Sequence, residues 1–469
     1  MGKRFFIVLL FIASLSFPAF AAGVPDTYGL GIRAIALGGA FTAVADDFSA
    51  AHYNPAGLSQ MKGHQLSMEY LYTSPDIDVE KLTGGDLYTT DINGNVRSDP
   101  TEATAGHGLD LQVPVVGAIL DINKISNLPM NVQFGLVASM PEQLDISYRI
   151  YDYPPDQPYF IRYGDNIDRI FIAASIGVEV IKDLVHVGVG THAMLYGPGK
   201  YYVDGISTGS APDDQNCVAQ EEFGALFEYN PIAGILITPL DKKLKIGLSW
   251  KDEQELELGP IPILSSVFIG GHWELDIPMK LDLNAFFCPE EYSAGIALDL
   301  DRFMVSIEAD KQLWSEYSYS STDMYHYYAG ASGLTGIETG SPDFDDTINY
   351  RIGIEYKPNK NMSLMAGYSH LPTPVPDQSG RVSNYLDTDK DTFSLGASYT
   401  LTKPIIGIVK APVTLAGVFQ YQMLDEITVY KDGVEGVTYW DGPHKDKTQE
   451  SYTVEGDVYA GGISVSLSW

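Results

Sequence analysis

Ile463-Ser-Val-Ser-Leu-Ser-Trp469 ends the chain in unbroken alternation. Successive residues of a strand point to opposite sides, so Ile463, Val465, Leu467 and Trp469 share an apolar face, and Ser464, Ser466 and Ser468 a polar one. Earlier segments repeat the pattern. Phe303, Val305, Ile307 and Ala309 alternate with Met304, Ser306, Glu308 and Asp310. Tyr350, Ile352, Ile354 and Tyr356 alternate with Arg351, Gly353 and Glu355. From about Gln65 onward this period of two dominates.

Such strands fit a water-soluble sandwich with apolar residues inside, or a barrel with apolar residues against lipid. Three features favour the barrel. Segments between strands alternate in length: short at Lys182-Asp183, Asp241-Lys242, Asp301-Arg302 and Pro358-Asn359-Lys360, long at 73–109, 198–220, 314–346, 371–390 and 431–450. Outer-membrane barrels show this contrast between tight periplasmic turns and large outer loops. The strand count is about 14, even as closure of a single chain requires. The last strand, ending on an aromatic ring, resembles an outer-membrane sorting signal. Leu467 and Trp469 are therefore expected to serve assembly, with Trp469 replacing the usual Phe. The fold expected is all-β: a transmembrane antiparallel β-barrel with a small N-terminal hatch inside its lumen.

Composition agrees. The 469 residues carry 61 acidic against 29 basic side chains, a formal charge of −32, so nucleic acid and anionic membrane surfaces are poor partners. The 30 tyrosines suit the aromatic girdles of a barrel. No mature segment supplies the roughly 20 apolar residues of a spanning helix. Residues 1–21 have the form of a secretory signal: Lys3 and Arg4, an apolar run from Phe5 to Phe17, and Ala19-Phe20-Ala21 as cleavage site. Residues 22–61 are expected to be the hatch and 62–469 the barrel. Export makes a disulfide between Cys217 and Cys288 conceivable, but two unpaired residues in distant loops fit equally.

No motif for catalysis or cofactor binding stands in a supporting context. Gly29-Leu-Gly31-Ile-Arg-Ala34 and Gly188-Val-Gly190-Thr-His-Ala193 match a loose dinucleotide fingerprint. The first follows no strand and the second lies inside one, whereas the fingerprint needs a strand before and a helix after. His186 and His192 lie too far apart along one strand to share a metal. Acidic runs such as Asp343-Phe-Asp345-Asp346 offer oxygens to Ca²⁺, but a solvated outer loop is the favoured reading. No cofactor, metal centre or enzymatic activity is expected.

The residues Gly29-Leu-Gly31, Gly38-Gly39-Ala40, Ala45-Asp46-Asp47 and Asn54-Pro55-Ala56-Gly57-Leu58 resemble the N-terminal block of the FadL-type outer-membrane transporters of long-chain fatty acids and toluene-like hydrocarbons. Phe134-Gly135-Leu136, Leu281-Asp-Leu-Asn before Pro289, Trp314-Ser315-Glu316-Tyr317, Pro374-Val375-Pro376 and Phe393-Ser-Leu-Gly-Ala-Ser-Tyr399 continue the likeness. Leu386-Asp387-Thr388-Asp389 departs from the family's Pro-Asp pair. The resemblance implies a 14-stranded barrel whose lumen is closed by a hatch bearing Asn54, Pro55 and Ala56. It implies passive import of fatty acids or hydrocarbons, and a kinked third strand that releases them sideways into outer-membrane lipid. The expected partners are the hydrophobic ligand, outer-membrane lipid and the barrel-assembly machinery.

Residue chemistry is compatible with that route. Gly38 and Gly39 allow close packing, and Asp46 or Asp47 is expected to cap a helix running from Phe48 to Tyr53. Asn54, preceding Pro55, is expected to be extended and to end that helix. Ser139, Met140 and Pro141 mark the third strand's outer end, where proline cannot complete a ladder. A simple strand end and a kink opening the wall both fit. The rival functions are a non-specific porin, against which the Ala/Gly-rich plug argues, and a surface adhesin, which the Tyr-rich loops would also serve.

Overall fold

The alternating segments become fourteen strands that close on themselves in the computed structural model. The structure describes residues 24–79, 110–126, 128–140, 159–163, 170–196, 199–204, 218–223, 226–269, 273–317, 321–324, 343–379, 385–402, 411–430 and 451–469. The barrel strands are β1 Gln65–Val79, β2 Leu111–Asp121, β3 Val132–Ser139, β4 Ile170–Ile181, β5 Val185–Tyr196, β6 Leu226–Ile237 and β7 Leu244–Lys251. They continue as β8 Glu291–Leu300, β9 Phe303–Gln312, β10 Thr347–Asn359, β11 Met362–Leu371, β12 Lys390–Leu401, β13 Val413–Tyr430 and β14 Ser451–Ser468. Each pairs antiparallel with its sequence neighbours. β14 closes the ring on β1, from Gln65↔Ser468 to Val79↔Val454. No edge is left unpaired, as a strand protein in hydrocarbon requires.

The two faces are those of a membrane barrel. On β8, Glu291, Ser293 and Gly295 point inward while Tyr292, Ala294 and Ile296 point out. Ile463 of the terminal strand is 66% exposed. Along β14 the outward rings Tyr459 and Trp469 stand ten residues apart, which at ~3.3 Å per residue and ~40° of tilt is about 25 Å of membrane height. The short turns lie at the end that holds Trp469, whose backbone exchanges hydrogen bonds with His64 (2.9 and 3.0 Å). Asp183, Asp241 and Asp301 turn in the left-handed region, which aspartate tolerates. That end faces the periplasm.

Several sequence expectations change. β1 runs on to Val79, shortening the loop expected from residue 73. The stretch 198–220 contains a short strand pair, Gly199–Asp204 with Val218–Phe223. Gln254–Ile269 and Trp273–Cys288 form a long hairpin outside the barrel, paired with Ser321–Met324, so Leu281-Asp-Leu-Asn lies in outer structure and not in the wall. Cys288 is a free thiol, and Cys217 lies outside the described residues, as do the expected signal, residues 1–21, and Pro141.

A candidate transport pathway inside the barrel

Residues 24–60 fold into α1 Val24–Thr27, α2 Ile32–Ala36, α3 Ala50–Tyr53 and a 3-10 turn, Pro55–Gln60. This insert touches every barrel strand. A side chain added at Gly117, Gly135, Gly177, Gly188, Gly234 or Gly247 on β2 to β7 would press on Phe48, Leu58, Pro55, Asn54 or Thr42. Gly295, Gly353, Gly367, Gly396 and Gly462 on β8, β10, β11, β12 and β14 are likewise pressed by Ala43, Leu37, Gly38, Ala36 and Ile32. The remaining three strands reach the insert with side chains. Glu69 on β1 accepts from Ile32 N (3.0 Å). Glu308 on β9 accepts from Thr42 N (2.6 Å) and Oγ1 (2.9 Å). Gln420 on β13 donates to the Tyr28 carbonyl (3.3 Å). A segment in contact with all fourteen strands of a closed ring lies within it. The glycines make room because a strand glycine lets another backbone approach closely.

The residues singled out in the sequence take defined places. Gly38 and Gly39 adopt φ of 66° and 79°, open to glycine at little cost, and a Cβ on Gly38 would lie 2.7 Å from Tyr368 N. Asn54 Nδ2 donates to the carbonyls of Thr42 (2.8 Å) and Ile235 (3.2 Å), and its Oδ1 accepts from Ala56 N (3.1 Å). It thus ends α3, starts the 3-10 turn at Pro55 and ties both to β6. The expected capping of α3 by Asp46 or Asp47 does not occur. Asp47 instead accepts from Ser49 N (2.9 Å) and Oγ (2.6 Å) in the turn before the helix. Asp46 pairs with Arg33, whose other nitrogen donates to Glu355 on β10 (2.8 Å). Burial works to raise the Asp46 carboxyl, but Arg33, Lys245 and Lys357 hold it down at about 2. Burial raises Asp47 despite the Arg33 charge. Ser139 is the last residue of β3, and Met140 N still donates to the Pro114 carbonyl (2.9 Å).

Glu308, Asp310, Arg351 and Glu355 stand on polar strand faces, where the sequence alone assigns them no role. They belong to one charged side of the lumen. Lys251 on β7 donates to Glu291 on β8 (2.7 Å), which also accepts from Gln312 (2.8 Å), and Arg351 donates to Asp310 (2.6 Å). These groups line a cavity of about 40 Å³ against Asp26, His52 and Tyr53, room for little more than a water molecule. The opposite side is largely apolar, although Glu69 on β1 and Gln133 on β3 are buried there too. Leu424 on β13, Val454 and Val458 on β14, Leu71 and Ile77 on β1, Val113 and Val115 on β2, and Val137 on β3 are buried together with Leu30 and Ile32 of the insert. The lumen is two-faced.

Above the insert, rings converge from three outer connections. Phe287–Tyr317 and Tyr317–Phe344 are 5.2 Å apart, Phe344–Tyr385 5.1 Å, and Trp314 lies 6.0 Å from Phe287. Phe344 comes from the acidic run considered for Ca²⁺, where Asp346 is instead held by Ser315 Oγ (2.8 Å) and Lys311 (3.3 Å). Beside the rings lies Lys390, the first residue of β12. It is 1% exposed, its Nζ has no hydrogen-bond partner, and it sits 5.2 Å from the Tyr163 ring centre. Arg162 and Asp387, 3.3 Å apart, are its charged neighbours.

A lipid-facing barrel filled by its own N-terminus, with an aromatic mouth and a two-faced lumen, defines an outer-membrane transport channel. The family model described as outer membrane protein transport protein (OMPP1/FadL/TodX) matches residues 234–449. Alkane uptake protein A of Marinobacter nauticus is 22% identical over 466 residues, 97% of this chain and 94% of the relative. A Pseudomonas aeruginosa FadL homologue shares the fold with a TM-score of 0.56 and 16% identity, over 96% of this chain and 98% of that one. The P. putida toluene transporter TodX aligns with a TM-score of 0.52 and 16% identity, over 95% and 99%. The chain is thus similar to the FadL-type outer-membrane transport proteins in sequence and shares their fold.

Proposed function

We propose that the protein passively imports hydrophobic small molecules, including long-chain fatty acids, and releases them sideways at the end of β3. The apolar lumen wall from β13 round to β3 carries this proposal. Burying one CH₂ gains roughly 0.8 kcal/mol, so a chain captured by the outer aromatic rings keeps its solvation gain as it descends that wall. Release at Ser139, Met140 and Pro141 would spare it a return to water. The insert acts as hatch, with Gly38, Gly39, Asp46, Asp47, Asn54, Pro55 and Ala56 setting its shape. Leu467 and Trp469 present the terminal strand to the assembly machinery, and residues 1–21 direct export.

Lys390 supports a carboxylate-bearing cargo. A buried ammonium without a partner is costly, and a fatty-acid headgroup would supply the missing anion. The alkane-uptake relative fits the same wall without needing Lys390. Uptake of radiolabelled oleate and hexadecane by cells expressing wild type or Lys390→Met separates the two. The fatty-acid reading expects oleate uptake to fall at least about tenfold, the loss of one charged hydrogen bond of ~1.5–3 kcal/mol, with hexadecane uptake retained. Equal oleate uptake by the variant refutes the headgroup role, and no uptake of either probe by wild type refutes import.

A further inference from the structure

Asn349 on β10 is wholly buried, yet neither atom of its side-chain amide meets a hydrogen-bond partner among the described residues. Its neighbours Ile348 and Tyr350 are exposed on the lipid side, so the amide points into the lumen. Two more buried oxygens stand beside it without partners. Thr347, two residues along the same face, leaves its Oγ1 unpaired, and Asp310, the ladder partner of Asn349 on β9, its Oδ1. The groups within reach are already engaged. Arg351 donates to the other Asp310 oxygen, and Gln312, the ladder partner of Thr347, donates to Glu291 and accepts from Trp314 Nε1 (3.0 Å). Asp310, Gln312 and Leu371 line the lumen cavity. Leu371 follows His370, the ladder partner of Tyr350, and so lies next to Asn349. Its own partner on β12 is Lys390.

We infer that Asn349, Thr347 and Asp310 form a second polar subsite, which takes the hydroxyl group of an oxygenated hydrocarbon such as a long-chain alcohol. This rests on the proposed import of hydrophobic molecules and names a further class among them. Buried polar groups are almost always paired, so three adjacent side chains with unpaired atoms mark a place that another molecule completes. What they lack defines that molecule. The Asn349 amide offers a donor and an acceptor whichever way it is turned, Asp310 Oδ1 accepts, and the Thr347 hydroxyl does either. A carboxylate brings acceptors only and would meet the Asp310 charge. A cation brings donors only and leaves the amide nitrogen unpaired. An alcohol brings one donor and two acceptor lone pairs on a single atom. Its hydroxyl is no larger than the water-sized space of the cavity, and the buried Leu371 gives its chain an apolar surface. Water has the same bonding capacity and is the competing occupant. The subsite is distinct from the Lys390 ammonium, which belongs to the strand on the other side of Leu371 and supplies donors alone. A site built to bond a hydroxyl discriminates against the analogue that lacks one, because its own polar groups are then buried and unpaired.

Asn349→Leu tests the subsite in the full-length protein, because leucine keeps the volume and removes both amide bonds. Uptake of radiolabelled hexadecanol and hexadecane is measured in cells expressing wild type or variant, with assembly followed by heat-modifiable gel migration. The loss of two neutral hydrogen bonds predicts about a tenfold fall in hexadecanol uptake, with hexadecane uptake retained. Thr347→Val, at the start of β10, should lower hexadecanol uptake severalfold and repeats the test if Asn349→Leu does not assemble. In detergent solution hexadecanol should raise the melting temperature of wild type but not of Asn349→Leu, and equal shifts overturn the subsite. Unchanged hexadecanol uptake by the assembled variants also overturns it, leaving water as the only occupant and import standing. An equal fall for both probes shows a purely structural role and likewise overturns hydroxyl recognition. Wild type no faster than cells lacking the protein with either probe overturns import, and the subsite with it.

Discussion

Adding one methyl group to each side of the barrel should loosen the insert. Gly177 on β4 faces the Pro55 carbonyl, and an alanine Cβ there would lie 2.5 Å from that oxygen and 2.9 Å from Leu58 Cβ. Across the lumen, a Cβ at Gly353 on β10 would lie 2.7 Å from the Leu37 carbonyl and 2.9 Å from Leu37 Cβ. Neither obstacle is a flexible side-chain tip. Reaching an ordinary contact requires a shift of about 1 Å of insert backbone at each site, and overpacking of this kind costs about 1–3 kcal/mol. The two sites press on separate parts of the insert, so their effects should add to about 2–6 kcal/mol. Every 1.4 kcal/mol changes the docked-to-displaced ratio tenfold. In planar bilayers the doubly substituted channel should show frequent ion-conducting openings, approaching the steady conductance of a variant lacking residues 22–60. Gly461→Ala is the control, since its Cβ would meet nothing nearer than Val418 O at 3.8 Å. If the assembled double variant conducts no more than Gly461→Ala, the insert does not close the lumen as described.

Two further outcomes follow from the insert's polar contacts. Asn54→Ala removes donations to Thr42 and Ile235 and the cap on Ala56, so docking should weaken by about 1–3 kcal/mol, read as faster protease cleavage within the insert of the assembled protein. Acid should also weaken docking through His52, whose imidazole is pushed well below its usual value by burial, then by Lys251, His192 and Arg351. The displaced insert binds a proton below pH ~6.5 and the docked one does not, so stability is full above that pH and falls by about 1.4 kcal/mol per unit beneath it. Asp47, raised by burial, acts in the opposite sense at the acid end, while the Asp46 contribution is lost only as pH falls from ~3.8 towards about 2. Channel openings of His52→Phe should therefore rise less, or fall more, than those of wild type between pH 7 and pH 5.

The barrel was legible because lipid imposes a simple rule on each strand. Ile463 to Trp469 shows the rule in seven residues, and the closure of β14 on β1 follows from it. The same rule could not tell wall from outer hairpin: Gln254–Ile269 and Trp273–Cys288 are long strands too, and a period of two records a pleat but not its neighbours. The insert was legible from its small residues and from Asn54-Pro55, since both act locally. Its fastenings were not. Arg33 and Glu355 are 322 positions apart, and Thr42 and Glu308 266, so each looked like an ordinary polar residue on its own segment. One available signal was overlooked. Most barrel strands carry an inward glycine three to six residues from their periplasmic end, and a recurrent glycine in strands otherwise rich in β-branched residues marks the close approach of another backbone.

The unequal sides of the lumen bear on how such a plug moves. On the charged side Thr42 and Arg33 are held by carboxylates of β9 and β10, and losing one buried, charged bond costs about 1.5–3 kcal/mol. On the apolar side Leu30 and Ile32 meet valines and leucines, contacts that an alkyl chain can replace carbon for carbon. Cargo descending the apolar wall therefore lowers the cost of separating the insert from that wall, while doing nothing for the charged fastenings. On the apolar side the directed bond to be broken is the one from Ile32 N to Glu69 on β1, so a tilt away from β14, β1 and β2 about an axis near β9 and β10 costs less than ejection into the periplasm, which would break every fastening. Such a tilt moves α3 relative to β4 and β5, to which it is joined by the His52, Phe171 and His192 rings and by Ser175 Oγ donating to the Ala51 carbonyl (2.8 Å). A channel built this way admits hydrocarbon along its side without clearing the charged half of the lumen, so uptake and ion leakage are separable. Substitutions that cut the charged fastenings should raise leakage, and those confined to the apolar wall should alter uptake alone.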